Sequence, residues 1–215
     1  MVASCTHSSE TKDDESSSAM ADYQRARAYD QGWQMKIAEH YYKKAYQSFA
    51  QTHTQDWYHY TDAGYRWAYL RFRRGDTEGA MNVTTGLLHQ AKENEDFPKK
   101  VEAALLMLMA EIQLQLHQYD EALLTGQKVY EAIEQKAENG NGSELDIAWG
   151  CINISDIYYK TGDTEGAMAW LDRCAQALTL AKQEQGDSLM IEEWKGHVAL
   201  KQALYLLELG HANGA

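Results

Sequence analysis

At 215 residues, with 44% hydrophobic residues, 11% aromatic residues and a single proline, the chain can bury a substantial core and reads as ordered and helix-rich. Its 32 acids outnumber 20 bases, and the formal net charge of −12 repels phosphate backbones, so nucleic acid is not expected as a partner. No run approaches the ~18 apolar residues that span a bilayer: the richest stretch, Val101 to Leu116, is broken by Glu102, Glu111, Gln113 and Gln115 and reads as a packed helix. Three cysteines, Cys5, Cys151 and Cys174, are too few for a disulfide scaffold.

Along the chain, residues 1–19 are rich in serine, threonine and acids and read as a disordered tether. From Met20 onward helical periodicity runs to the end, as one repeat domain over 20–215. The spacing predicts helices over 20–31, 34–52, 55–73, 77–95, 98–116, 119–138, 144–160, 164–184 and 188–209. Pro98 suits the first turn of the fifth.

An internal repeat organises these helices. Arg73 to Met81 (RRGDTEGAM) and Lys160 to Met168 (KTGDTEGAM) are nearly identical, and Leu116 to Leu124 (LHQYDEALL) is a third version. Aligned on one alanine, the repeats place Ala38, Ala80, Ala122, Ala167 and Ala215 at spacings of 42, 42, 45 and 48. Twelve residues before each stands another small residue: Ala26, Ala68, Ala110, Ser155 and Ala203. Small side chains in register on both helices of a hairpin let the backbones approach closely. Seven residues after the marker come Ala45, Leu87, Val129 and Cys174, the next position on the same face. Gly75, Gly162, Gly210 and, shifted by one, Gly32 supply a left-handed turn residue. Within the fourth hairpin, Cys151 and Cys174 fall at equal height on facing helices and are expected as adjacent buried thiols.

Small residue, turn, acidic stretch, alanine and bulky partner together resemble the tetratricopeptide repeat, most clearly in Thr161 to Leu178 and His117 to Ile133. The family's usual period is shorter, so the likeness is to its long-helix variants in peptide-sensing bacterial regulators and activator sensor regions. The resemblance implies an all-α, right-handed α-solenoid of antiparallel hairpins, about four and a half in number. The fifth hairpin lacks its second helix: either a longer protein supplies it or the last helix caps the stack alone. The family binds extended peptides or partner helices on a concave face lined by the first helix of each hairpin. Carried over by register, that lining is Tyr23, Arg27 and Asp30, then Asp62, Tyr65, Tyr69 and Phe72. It continues through Ala104, Met107, Glu111 and Leu114, then Trp149, Ile152, Asp156 and Tyr159, and last His197, Leu200, Leu204 and Leu207. The partner-binding candidates are Arg27, Asp62, Tyr65, Tyr69, Glu111, Trp149, Asp156 and Tyr159. A clamp for a terminal carboxylate is not expected, because the matching positions are aromatic, apolar or acidic rather than basic.

No motif for catalysis, phosphate binding or metal is present, so neither an enzyme nor a cofactor is expected. His53 and His59, six apart, do not share a helical face, and the Arg74-Gly75-Asp76 triplet recurs as Thr161-Gly162-Asp163 and reads as a turn. The start, Val2-Ala3-Ser4-Cys5, resembles a bacterial lipoprotein cleavage box without the charged and apolar segment that should precede it. In a longer precursor Cys5 would be the lipidated residue and the only membrane attachment. The expectation is therefore a non-enzymatic protein- or peptide-binding scaffold, either a lipid-tethered envelope protein or the sensor part of a signalling protein. The alternative is a cytoplasmic peptide-sensing regulator of a transcription factor or phosphatase.

Overall fold

The helical periodicity is realised with boundaries that shift by at most three residues at every helix but the first. The computed structural model describes residues 7–52, 56–138, 142–186 and 188–212. Among them stand nine α-helices and no strand: α1 His7–Gln31, α2 Met35–Thr52, α3 Trp57–Arg73, α4 Thr77–Glu93, α5 Lys99–Gln115, α6 Tyr119–Glu138, α7 Glu144–Lys160, α8 Thr164–Gln185 and α9 Leu189–Ala212. Helix α1 begins at His7, within the stretch expected as a tether, and Ala19 is fully buried. Residues 7–19 hold neither glycine nor proline, and a helix nucleated by the apolar stretch behind them propagates into polar sequence at little cost. Cys5 and His53 lie outside the described residues.

The helices fall into two compact units, Met1–Ile112 and Gln113–Ala215. In the first, Tyr42, Ala45 and Phe49 of α2 pack with Tyr23 and Ala26 of α1, while Leu87 of α4 meets Phe97, Val101 and Leu105. In the second, Cys151 and Ile154 of α7, Leu171, Cys174 and Leu178 of α8, and Val198 and Tyr205 of α9 form one cluster. Both thiols are free and buried in that cluster.

The repeat register sets the burial. Ala38, Ala80, Ala122 and Ala167 are completely buried, as are Ala26, Ala68, Ala110 and Ser155 twelve residues earlier. The α7–α8 pair is antiparallel: the Ser155 hydroxyl donates to the Ala167 carbonyl at 2.9 Å, and the Cys174 thiol to the Ala148 carbonyl at 3.3 Å. Ala203, the counterpart in α9, is exposed.

Four turns share one hydrogen-bond pattern. The amide of the residue five before each marker alanine bonds back three residues: Trp33 to Asp30, Gly75 to Phe72, His117 to Leu114 and Gly162 to Tyr159. The next amide reaches back five, from Gln34 to Tyr29, Asp76 to Arg71, Gln118 to Gln113 and Asp163 to Tyr158. This is the Schellman ending, which satisfies the last carbonyls of a helix by way of one left-handed residue. That residue is Gly75 (φ 86°) and Gly162 (φ 89°) in two turns, but Trp33 (φ 59°) and His117 (φ 60°) in the others. Gly32 is therefore not the left-handed residue, and Gly210 lies inside α9 rather than in a turn. Asp76 and Asp163 follow as N-caps, accepting from the Gly79 and Gly166 amides. The Arg74-Gly75-Asp76 triplet is such a turn.

Candidate functional site

The first helices of the hairpins carry the candidate residues, and each unit treats them differently. In the first unit, Asp62 of α3 is buried and bonded to its own protein. Tyr23 of α1 donates its hydroxyl to Asp62 Oδ2 at 2.5 Å, and Arg66 Nε donates to the same oxygen at 2.6 Å. Arg66 also lies 3.6 Å from Asp30 Oδ2, which accepts from the Tyr42 hydroxyl at 3.3 Å. Burial and then the Asp62 carboxylate push the Tyr23 hydroxyl above its ordinary range. Burial alone would lower the Arg66 guanidinium, and Asp62 more than offsets that. This polar network ties α1 to α3. Asp22, also nearly fully buried, is held by Lys44 at 2.9 Å.

Tyr65 and Tyr69 stack on α3 with ring centres 6.2 Å apart, and Arg73 donates to the Tyr69 hydroxyl at 2.9 Å. Burial, then Tyr69, pushes the Tyr65 hydroxyl up to about 12, and the Glu111 carboxylate adds to the rise. Arg27 is exposed on α1.

In the second unit Asp156 and Tyr159 of α7 face α9 across an open recess of about 410 Å³. The Tyr159 ring stacks on Tyr205 with centres 4.2 Å apart and planes inclined by 15°. Its hydroxyl donates to Glu208 Oε1 at 2.5 Å, and that bond, with burial second, raises the Tyr159 pKa. Asp156 accepts from Lys201 and, at 3.3 Å, from the Tyr205 hydroxyl. Leu204 and Leu207, 51% and 61% exposed, complete the wall beside Lys160. The recess thus offers apolar surface, a stacked aromatic pair, two lysines and two carboxylates within a few ångströms. Trp149, one helical turn and more away on α7, is half-buried and does not line it.

The candidates therefore separate into a bonded pair (Asp62 with Tyr23), an α3–α5 set (Tyr65, Tyr69, Glu111) and the recess set (Asp156, Tyr159), with Arg27 and Trp149 joining none. Lys201, Tyr205 and Glu208 escaped the sequence reading, which took the apolar positions His197, Leu200, Leu204 and Leu207 from α9. The signal was available one residue to the side of each leucine, where polar and aromatic side chains recur at helical spacing. Among the described residues no group of three or more His, Cys, Asp or Glu could hold a metal ion, and no helix is long and apolar enough to cross a membrane.

No protein-family model and no curated protein matches the sequence. Solved structures do match it in fold. Rap protein complexed with Competence and Sporulation Factor superposes with a TM-score of 0.67 at 14% identity, covering 90% of this chain and 50% of that one. The chain thus spans about half the length of that protein. A kinesin light chain of Podosopora anserina with nearly identical TPR-like repeats gives 0.59 at 17% identity, covering 87% of this chain and 96% of its own. BtubC (BKLC) from P. vanneervenii gives 0.58 at 17% identity, covering 90% and 91%. Identities this low speak to fold alone.

Proposed function

For a chain whose fold is that of tetratricopeptide-type helical repeats, we propose a non-enzymatic role in which the α7–α9 recess captures an extended peptide or a partner segment. The carrying observation is the recess itself, where exposed Leu204 adjoins the stacked Tyr159–Tyr205 pair. Rigid aromatics give contact area at small entropic cost, and Leu204 adds burial that a bound chain would gain. Lys201 and Asp156 satisfy one another in the free protein and can be re-partnered by a ligand's carboxylate and amide groups. The likeness to Rap protein in complex with a factor supports a second reading, a regulator that responds to a bound factor. Lipid attachment through Cys5 in a longer precursor remains a separate proposal, carried by the Val2–Cys5 box.

Panning a phage-displayed peptide library on the 215-residue protein tests the recess. Selected peptides should lose binding to Tyr159→Ala and Leu204→Asp, with helical circular dichroism unchanged. Peptides that bind both variants as well as the parent would overturn the assignment.

A further inference from the structure

The helix α9 has an outer face that nothing among the described residues covers, and it is apolar. Leu200, Leu206 and Leu207 on this side are 59%, 57% and 61% exposed, and Gly196, Ala199, Ala203 and Gly210 between them are exposed as well. Surface of this kind is uncommon without a partner.

The protein's own repeat shows what fits there. Residues 192–208 of α9 have counterparts 48 residues earlier in α7. Gly150 and Ile157 of α7 face the preceding helix α6: a Cβ at Gly150 would come 3.2 Å from Tyr130, and Ile157 fills the space beside Gly126. Their counterparts Val198 and Tyr205 are buried in the same sense, in the cluster that includes Leu171 and Leu178 of the preceding helix α8. Ala148, Cys151 and Ser155 face the following helix α8 and are completely buried. Their counterparts are Gly196, Ala199 and Ala203, which are exposed. The outer face of α9 is therefore the seat of an antiparallel helix of the α8 kind.

The buried face of α8, which meets α7 at Ala167 and Cys174, runs small, Leu, small, Leu, small: Ala167, Leu171, Cys174, Leu178 and Ala181, all fully buried. At the same spacing the outer face of α9 reads Gly196, Leu200, Ala203, Leu207 and Gly210. One helix thus carries both the seat and the pattern that fills a seat. About Ala203 the face carries glycine seven residues to either side and leucine three residues to either side, and Leu207 mirrors the small Ala199. A two-fold axis through Ala203 would set Gly196 of one copy against Gly210 of the other and Leu200 against Leu206. That repeats the small-against-small contacts by which Ser155 meets Ala167 and Cys174 meets Ala148. Self-complementarity of this kind is what an isologous two-fold interface requires.

We propose that the protein forms a homodimer through antiparallel pairing of α9 with α9 of a second copy, each helix taking the place that α8 holds against α7. Sedimentation velocity of the 215-residue chain should show a reversible shift toward twice the monomer mass as concentration rises. Ala203→Glu places two like charges on the axis and should hold the protein monomeric with unchanged circular dichroism. In a Cys5→Ser background, Ala203→Cys should be joined into dimers by a short bis-maleimide, whereas Glu165→Cys, exposed at the start of α8, should not. The cross-linking arm decides the matter if Ala203→Glu fails to fold. A parent chain that stays monomeric up to about 100 µM, a dimer indifferent to Ala203→Glu, or equal cross-linking from positions 203 and 165 would each overturn the proposal.

Discussion

The hydroxyl of Ser155 donates to the backbone carbonyl of Ala167 at 2.9 Å, and both residues are completely buried where α7 crosses α8. The first three repeats place alanine at both positions, so the serine is the one polar member of a set of closely packed small residues. Ser155→Ala should cost about 1 kcal/mol, the usual net worth of such a bond. Ser155→Leu should cost more, about 2–3 kcal/mol or beyond, because overpacking a close crossing forces the helices apart. Urea denaturation separates the two, and equal stability of both variants would show that the crossing tolerates volume.

The four Schellman turns allow a paired test. Gly75→Ala and Gly162→Ala force a Cβ into left-handed backbone and should each lose about 1 kcal/mol. Trp33→Gly removes that strain from a side chain that is 82% exposed, and should raise stability by about 0.5–1 kcal/mol. Thermal unfolding of the variants reads both signs. A destabilised Trp33→Gly would mean the indole contributes packing that its exposure conceals.

The bonds around Asp62 make it part of the structure that holds α1 on α3. Tyr23→Phe should cost about 1 kcal/mol, whereas Asp62→Ala should cost about 3 kcal/mol because it strands Arg66 without its closest counter-charge. Chemical denaturation gives the values. A stable Asp62→Ala protein would return Asp62 to the pool of residues free to meet a ligand.

Burial pushes the Cys151 thiol up to about 11 and, with the neighbouring Cys151 as a second cause, the Cys174 thiol up to about 12, from an ordinary value of 9.0. In the folded state both keep their protons where the unfolded chain has lost them. Their contribution to stability is thus complete below pH 9 and declines as pH rises toward 11 and 12. Urea midpoints should fall over that range more steeply in the parent than in Cys151→Ala/Cys174→Ala. At pH 8 both thiols should resist aromatic disulfide reagents until the protein is unfolded. Parallel pH curves for the two proteins would contradict the burial.

The hairpins were legible in the sequence because a marker alanine, a small residue twelve before it and an apolar one seven after are local features repeated four times. Periodicity also places the helix ends, as at α6 and α7, where the boundaries coincide with those expected. Three things were not legible. Helix α1 extends through polar sequence because elongation of an existing helix depends little on hydrophobicity. Trp33 and His117 take left-handed backbone because the paired hydrogen bonds of the turn hold them there, although composition favours glycine. The partners of Asp62 and Asp156 stand 39 and 45 residues away in Tyr23 and Lys201, and no spacing rule announces such pairs. At Asp62, register picked a side chain that Tyr23 and Arg66 already occupy.

Isothermal titration with a peptide selected on the parent protein is the measurement on which the recess stands or falls. Tyr159→Ala and Leu204→Asp should each weaken binding at least about tenfold, roughly 1.4 kcal/mol, while Tyr23→Phe in the first unit leaves the affinity unchanged. Affinities for both recess variants within about twofold of the parent, well under 1 kcal/mol, would contradict the assignment and place the binding surface elsewhere on the protein.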